Sequence, residues 1–317
     1  MADIDSTNRK EGWEREVLEK IISSSVKEQR RVRYWGIFFK SLTFVYLYLL
    51  LFWGLGWFDG EPGRITDKHA ALVDLRGEIK ADSMGSADNI NAALQKAFKD
   101  KNTAGVILRI NSPGGSPVQA GYINDEIRRL RAEYPQIPLY VVVEDICASG
   151  GYYVAVAADK IFVDKASIVG SIGVVLDSFG FAGTLEKLGV ERRLLTAGEN
   201  KSFLDPFLPS DPKQREHARQ MLAEIHQQFI QVVRHGRGDR LKDVPEIFSG
   251  MVWTGEKSIE LGLVDGLGSA EYVAREIIQT DRIVDFTTQE GLAERFAKRF
   301  GRVTADVMLG GERWQLR

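Results

Sequence analysis

Ser149 is the residue whose type and setting most suggest chemistry. It stands in Ala148-Ser149-Gly150-Gly151, between the unbroken apolar run Leu139–Val143 and the small-residue apolar stretch Tyr152–Ala158. The first run reads as a strand buried on both faces and the second as a buried helix. A serine at such a strand-to-helix turn aims its hydroxyl out of the sheet edge. The two glycines let the backbone approach a bound carbonyl, and the new helix offers unpaired N–H groups and the positive end of its dipole. An exposed Oγ beside donors for an oxyanion is what nucleophilic catalysis needs. The competing reading is a tight turn with a helix-capping serine. Taken alone, the four residues do not decide between the two.

A nucleophilic serine needs a base. Of the four histidines, His69 opens a strand, and His217, His226 and His235 fall on or just after a long helix, so none is well placed. Lys201, in Thr196-Ala-Gly-Glu-Asn-Lys-Ser-Phe203, follows a strand and would lie near the same sheet edge. Sheltered beside Phe203, Leu204 and Phe207, an ammonium loses hydration and its neutral form gains, which suits a general base. The competing reading is a solvated loop lysine, and spacing by itself does not choose between them. Asn111-Ser-Pro-Gly114-Gly115 also sits between a strand and a helix. Its backbone N–H groups read either as the second half of an oxyanion hole or as a plain Pro-Gly turn. Cys147, the one cysteine, excludes an internal disulfide and reads as a buried, inert thiol. HExxH, CxxC and EF-hand patterns are missing, so neither a metal nor another cofactor is expected.

The elements that must position these residues alternate between strand and helix. Ala70–Leu75 and Gly105–Ile110 read as strands, with a helix from Ser86 to about Lys99 between them. A helix over Pro117–Glu133 precedes the strand before Ser149. Lys160–Val163, Ser171–Leu176 and Glu191–Leu195 are predicted as short strands, Pro212 to about Arg234 as a long amphipathic helix, and Ser269–Ile278 as a closing helix. Strand, glycine-rich turn and helix in alternation mean an α/β domain with mainly parallel strands, whose sites lie past the carboxyl ends of those strands. Both glycine pairs should therefore open onto one crevice. The 317 residues are 44% apolar with a net charge of -2 and intermixed acids and bases, so no nucleic-acid partner is expected.

One segment stands apart. From Ser41 to Phe58 no charge interrupts an apolar run flanked by Tyr34, Trp35, Trp53 and Trp57, long enough to cross a bilayer. Some 30 polar residues precede it and no small-x-small site follows, which disfavours a cleavable signal peptide. Its near-lack of polar positions disfavours a core helix. Arg30, Arg31, Arg33 and Lys40 precede the run, whereas Asp59 and Glu61 follow it. The positive-inside rule then puts the N-terminus in the cytoplasm and the rest outside the inner membrane. The expected organisation is a cytoplasmic arm over 1–33, an anchor over 34–58, a linker over 59–68, a catalytic domain over 69–285, and a peripheral helix and tail over 286–317.

Taken in order, N-S-P-G-G, V-x-D-x-x-A-S-G-G-Y-Y, V-G-S-I-G-V, T-A-G-x-x-K and G-L-V-D-x-L-G behind a single span resemble the signal peptide peptidase A family, including its SohB-type members. The likeness runs from about Ala70 to Ile278. It implies a fold similar to the Clp protease and crotonase proteins, a spiral of strand–strand–helix units, and a serine protease with a Ser–Lys dyad. It puts the nucleophile at Ser149, the base at Lys201, and the oxyanion donors at Gly114, Gly115 and Gly150. Ser171 falls in the segment that lines the pocket or meets the lysine. One copy of each motif implies a homo-oligomeric ring with sites between subunits, degrading signal peptides or other hydrophobic peptides. The alternatives are a non-catalytic membrane-bound peptide-binding scaffold and a crotonase-like acyl-CoA enzyme.

Overall fold

The computed structural model describes residues 3–54 and 67–288. It divides into two compact units, Met1–Arg64 and Ile65–Arg317. Within the first, a single helix α1 (Asp3–Gly54) runs through both the predicted arm and most of the predicted anchor. Its Lys27–Phe52 portion is long and apolar enough to cross a membrane. The last residues of the expected anchor, 55–58, lie outside the described residues, as does nearly all of the expected C-terminal helix and tail.

The second unit is built on one eight-stranded sheet. The strands are β1 (His69–Arg76), β2 (Thr103–Ser112), β3 (Leu139–Ala148), β4 (Lys160–Val163), β5 (Ile168–Gly170), β6 (Val252–Thr254), β7 (Gly266–Leu267) and β8 (Ile283–Asp285). Their order is β6-β5-β3-β2-β1-β8, with β4 on β3 and β7 on β4. All pairings are parallel except β5 with β6.

β3 changes partner along its length. Its first half pairs with β4 through Tyr140–Val142, and its last three residues pair with β5 through Ile146–Ala148. The β2–β3 register slips between Ile110 and Ser112, an irregularity of the kind that increases local twist. The switch to β5 leaves Ala148, the last residue of β3, beside Gly170.

Alternation along the strands explains the two faces. Val73, Leu75, Leu108, Ile110, Val141 and Val143 pack against α2 (Ala87–Lys99) and α3 (Pro117–Glu133) through Ile90, Leu94, Phe98, Ile123 and Ile127. Leu72, Ile107, Val142 and Phe162 point the other way, onto Ala270, Val273 and Ala274. Burial of each large aliphatic side chain contributes roughly 1.5–3 kcal/mol, so the central strands are the most firmly held. Ser86 and Ser116 cap α2 and α3 by accepting from the Asn89 and Gln119 amides.

Three local expectations are corrected. Ser171–Leu176 is not a strand: β5 ends at Gly170, where positive φ values of 115° at Gly170 and 51° at Ser171 turn the chain off the sheet. Glu191–Leu195 is irregular, because no strand among the described residues offers it a ladder. The closing helix is a turn of α-helix, Ala270–Tyr272, followed by a π-helical stretch over Val273–Ile278. The short strand β8, unanticipated in the sequence, then docks on β1.

Candidate active site

Ser149 lies at the junction of β3 and α4 (Gly150–Ala155), half-buried, with φ 51° and ψ -122°. This is a strained conformation for a residue with a side chain, of the kind retained where geometry matters more than local stability. The backbone is held there by the Ser149 amide, which donates to the Gly170 carbonyl at 2.8 Å. Although Ser149 occupies the N-cap position, its side chain makes no capping hydrogen bond. The hydroxyl is thus not committed to the helix, and the capping-serine reading falls away.

The two glycine pairs meet here. A Cβ added to Gly114 would come within 2.6 Å of the Gly150 nitrogen and 2.8 Å of the Ser149 Cβ. One added to Gly150 would sit 3.3 Å from the Gly115 nitrogen. The donors are not equivalent. The Gly114 amide already donates to Ser112 Oγ at 3.1 Å, so the open N–H groups beside Ser149 are those of Gly115 and Gly150. Gly114 instead lets the two turns approach, with a φ of 101° that favours glycine. Its neighbour Gly115 is fixed by a bridge to Ile79, in which Ile79 donates to Gly114 and accepts from Ser116.

A cleft of about 360 Å³ opens beside Ser149. Ala120, Tyr153, Ile225 and Phe229 form its apolar wall, and Ser171, Gly173 and Gly250 its far side. The Tyr153 and Phe229 rings lie 5.2 Å apart. Ser171 is held like Ser149, its amide donating to the Met251 carbonyl at 2.7 Å. The wall from α6 (Pro212–Arg237) was not foreseen. Ile225 and Phe229 belong to the helix's apolar stripe, but a stripe reports only that a face is covered, not that a cleft lies against it.

Among the described residues no Lys, Arg, His, Asp or Glu lines this cleft. Lys201 is exposed, which corrects its expected burial beside Phe203, Leu204 and Phe207. Those rings pack elsewhere: Phe203 on His217 at 5.7 Å, and Phe207 on Phe181 at 5.5 Å with the Arg192 guanidinium over it. The segment around Lys201 also exposes Val175, Phe179, Leu188 and Leu195, the last almost completely. His69 is buried against Phe286, and the His226 ring, outside the cleft lining, meets the Ile172 carbonyl. Cys147 is fully buried, and burial pushes its thiol pKa up, so it is no nucleophile. Among the described residues no group of His, Cys, Asp and Glu could hold a metal ion.

The profile of Peptidase family S49 matches residues 131–283, a stretch that contains Ser149, Ser171 and Lys201. A Methanocaldococcus jannaschii protein named "Putative protease MJ0651" is 30% identical over 68% of this chain and 71% of its own length. The chain belongs to peptidase family S49.

Other relatives agree in part. An Enterococcus faecium protein named "Putative signal peptide peptidase SppA" is 31% identical over 64% of this chain and 58% of its own. A Brucella melitensis protein named "Na(+)/H(+) antiporter NhaA" is 46% identical over 65% of this chain. This chain spans 28% of that Brucella protein, so the transport its name describes does not carry over. S49 membership supports a serine peptidase on a Clp-like α/β fold, and it leaves the residues of the catalytic step to be argued from geometry.

Proposed function

We propose that this S49 member is a membrane-anchored serine endopeptidase that cleaves hydrophobic peptides, signal peptides among them, on the extracytoplasmic side. The observation that carries the reading is the strained Ser149, its side chain making no capping bond, in the lining of one cleft with the Gly115 and Gly150 amides. Ser149 Oγ attacks the scissile carbonyl carbon and forms the acyl bond. The oxyanion accepts from the Gly115 and Gly150 N–H groups, with Gly114 permitting their approach. The departing amine leaves with a proton, and water hydrolyses the acyl-enzyme.

The proton acceptor in this reading is Lys201 of a neighbouring subunit. A cleft without a base, and an exposed lysine on a segment with uncovered Val175, Phe179, Leu188 and Leu195, support a homo-oligomeric ring in which one protomer completes the next. The extracytoplasmic placement is supported by the basic residues before the span and the acidic ones after it. The absence of a base within one protomer would also suit a peptide-binding scaffold. Hydrolysis of a hydrophobic fluorogenic peptide by the detergent-purified chain, with Ser149→Ala alongside, separates the two. Cleavage abolished in the variant supports the peptidase. Peptide capture without cleavage in both proteins would overturn it in favour of the scaffold.

A further inference from the structure

Helix α1 carries a second surface that peptide hydrolysis does not use. Lys27, Arg30, Arg31, Tyr34, Trp35 and Phe38 follow the i, i+3, i+4, i+7, i+8, i+11 spacing of a single helix face, and all six are exposed. Along this face three cations give way directly to three aromatic rings. Lys27, Arg31 and Trp35 border one surface groove with Glu28 and Val32. Trp35 is braced by Phe39, stacked at 5.6 Å, and by Phe38, edge-on at 5.7 Å. No ion pair engages Lys27, Arg30 or Arg31 among the described residues.

Helix geometry sets the depth of each group. An α-helix rises about 1.5 Å per residue, and tryptophan is enriched at the boundary between hydrocarbon and headgroups. With Trp35 at that boundary, Arg30 and Arg31 lie about 6–8 Å outside it, at the level of lipid phosphates, Lys27 one turn further, and Lys40 about 8 Å inside it, from where its long stem can carry the ammonium back to the headgroups. An arginine fork matches a phosphate oxygen pair, and the neighbouring indole suits the glycerol and carbonyl layer.

We infer that the Lys27–Arg30–Arg31–Trp35 face is a binding site for anionic phospholipid headgroups of the leaflet that surrounds the start of the span. The inference rests on the reading of α1 as a membrane anchor. Charge complementarity and the unbroken passage from cations to interfacial aromatics favour a lipid over an acidic protein segment, which would not need the rings at that depth.

The test uses the full chain reconstituted in phosphatidylcholine bilayers containing a minor fraction of phosphatidylglycerol. Spin-labelled lipids of each headgroup report which is held at the protein surface. Selectivity for phosphatidylglycerol of about tenfold at low salt is expected, falling towards none at high salt and in K27Q/R30Q/R31Q. Equal selectivity in the wild type and the triple variant would overturn the site. Selectivity absent from both would leave the cationic face to a protein partner and overturn it equally. Release of the whole chain by an alkaline wash would instead remove the anchor reading and this inference with it.

Discussion

Gly114 lies against the Ser149 turn so closely that a methyl group at its Cα would meet the Ser149 Cβ at 2.8 Å and the Ala148 carbonyl oxygen at 2.8 Å. The neighbours are backbone and the root of a side chain, so nothing flexible can give way. Gly114→Ala is expected to push the two turns apart and displace the Gly115 amide from the Gly150 amide. Turnover of the fluorogenic peptide should fall by about a hundredfold or more, with a smaller fall in melting temperature. Near-normal kcat would show that the Gly115 and Gly150 amides do not act together.

Lys201→Ala removes an exposed side chain, so the fold should survive while hydrolysis is lost. Mixing Ser149→Ala subunits with Lys201→Ala subunits is expected to restore part of the activity, because some interfaces would pair an intact serine with an intact lysine. If the mixture stays inactive while the variants still co-assemble, the base does not cross between subunits.

Ile225→Trp places a larger ring on the apolar wall of the cleft. Peptides with a bulky side chain next to the scissile bond should lose about tenfold or more in kcat/KM, while small ones change little. Equal losses for both would mean that this wall does not read the substrate.

Arg237 is almost fully buried and holds Asp265 through two bonds, at 2.8 and 3.0 Å, while the Asp265 carboxylate also accepts from the Ile161 amide. Burial alone would push the Asp265 pKa up. Hydrogen bonds from Arg237, its charge, the Ile161 amide and Arg240 outweigh that, and hold the carboxyl below the usual range. A depressed carboxylate contributes stability above its unfolded pKa of about 3.9, which is lost as pH falls through the folded value. Asp265→Asn should destabilise the protein by about 3 kcal/mol at neutral pH by stranding a buried guanidinium. Denaturant midpoints against pH should also converge for the two proteins in acid. Parallel curves would show that this pair does not set acid stability.

Much of this protein was legible in its sequence, for a local reason. The Ser86 cap, the apolar stripe of α2, the buried run of β3 and the Ser149 turn with its glycines are decided within a few residues by periodicity, capping and φ preferences. The apolar run from Ser41 to Phe58 declares itself by length and lack of charge. What only the tertiary structure decided depends on distant residues. It brought Gly114 against Gly150, engaged the Gly114 amide with Ser112, set Ile225 and Phe229 on the cleft, and turned the chain off the sheet at Ser171. Lys201 is the sharpest case, since the family resemblance assigns it as the base, but a side chain's burial is fixed by what packs over it. Phe203 and Phe207 pack on His217 and Phe181, and the lysine is left exposed.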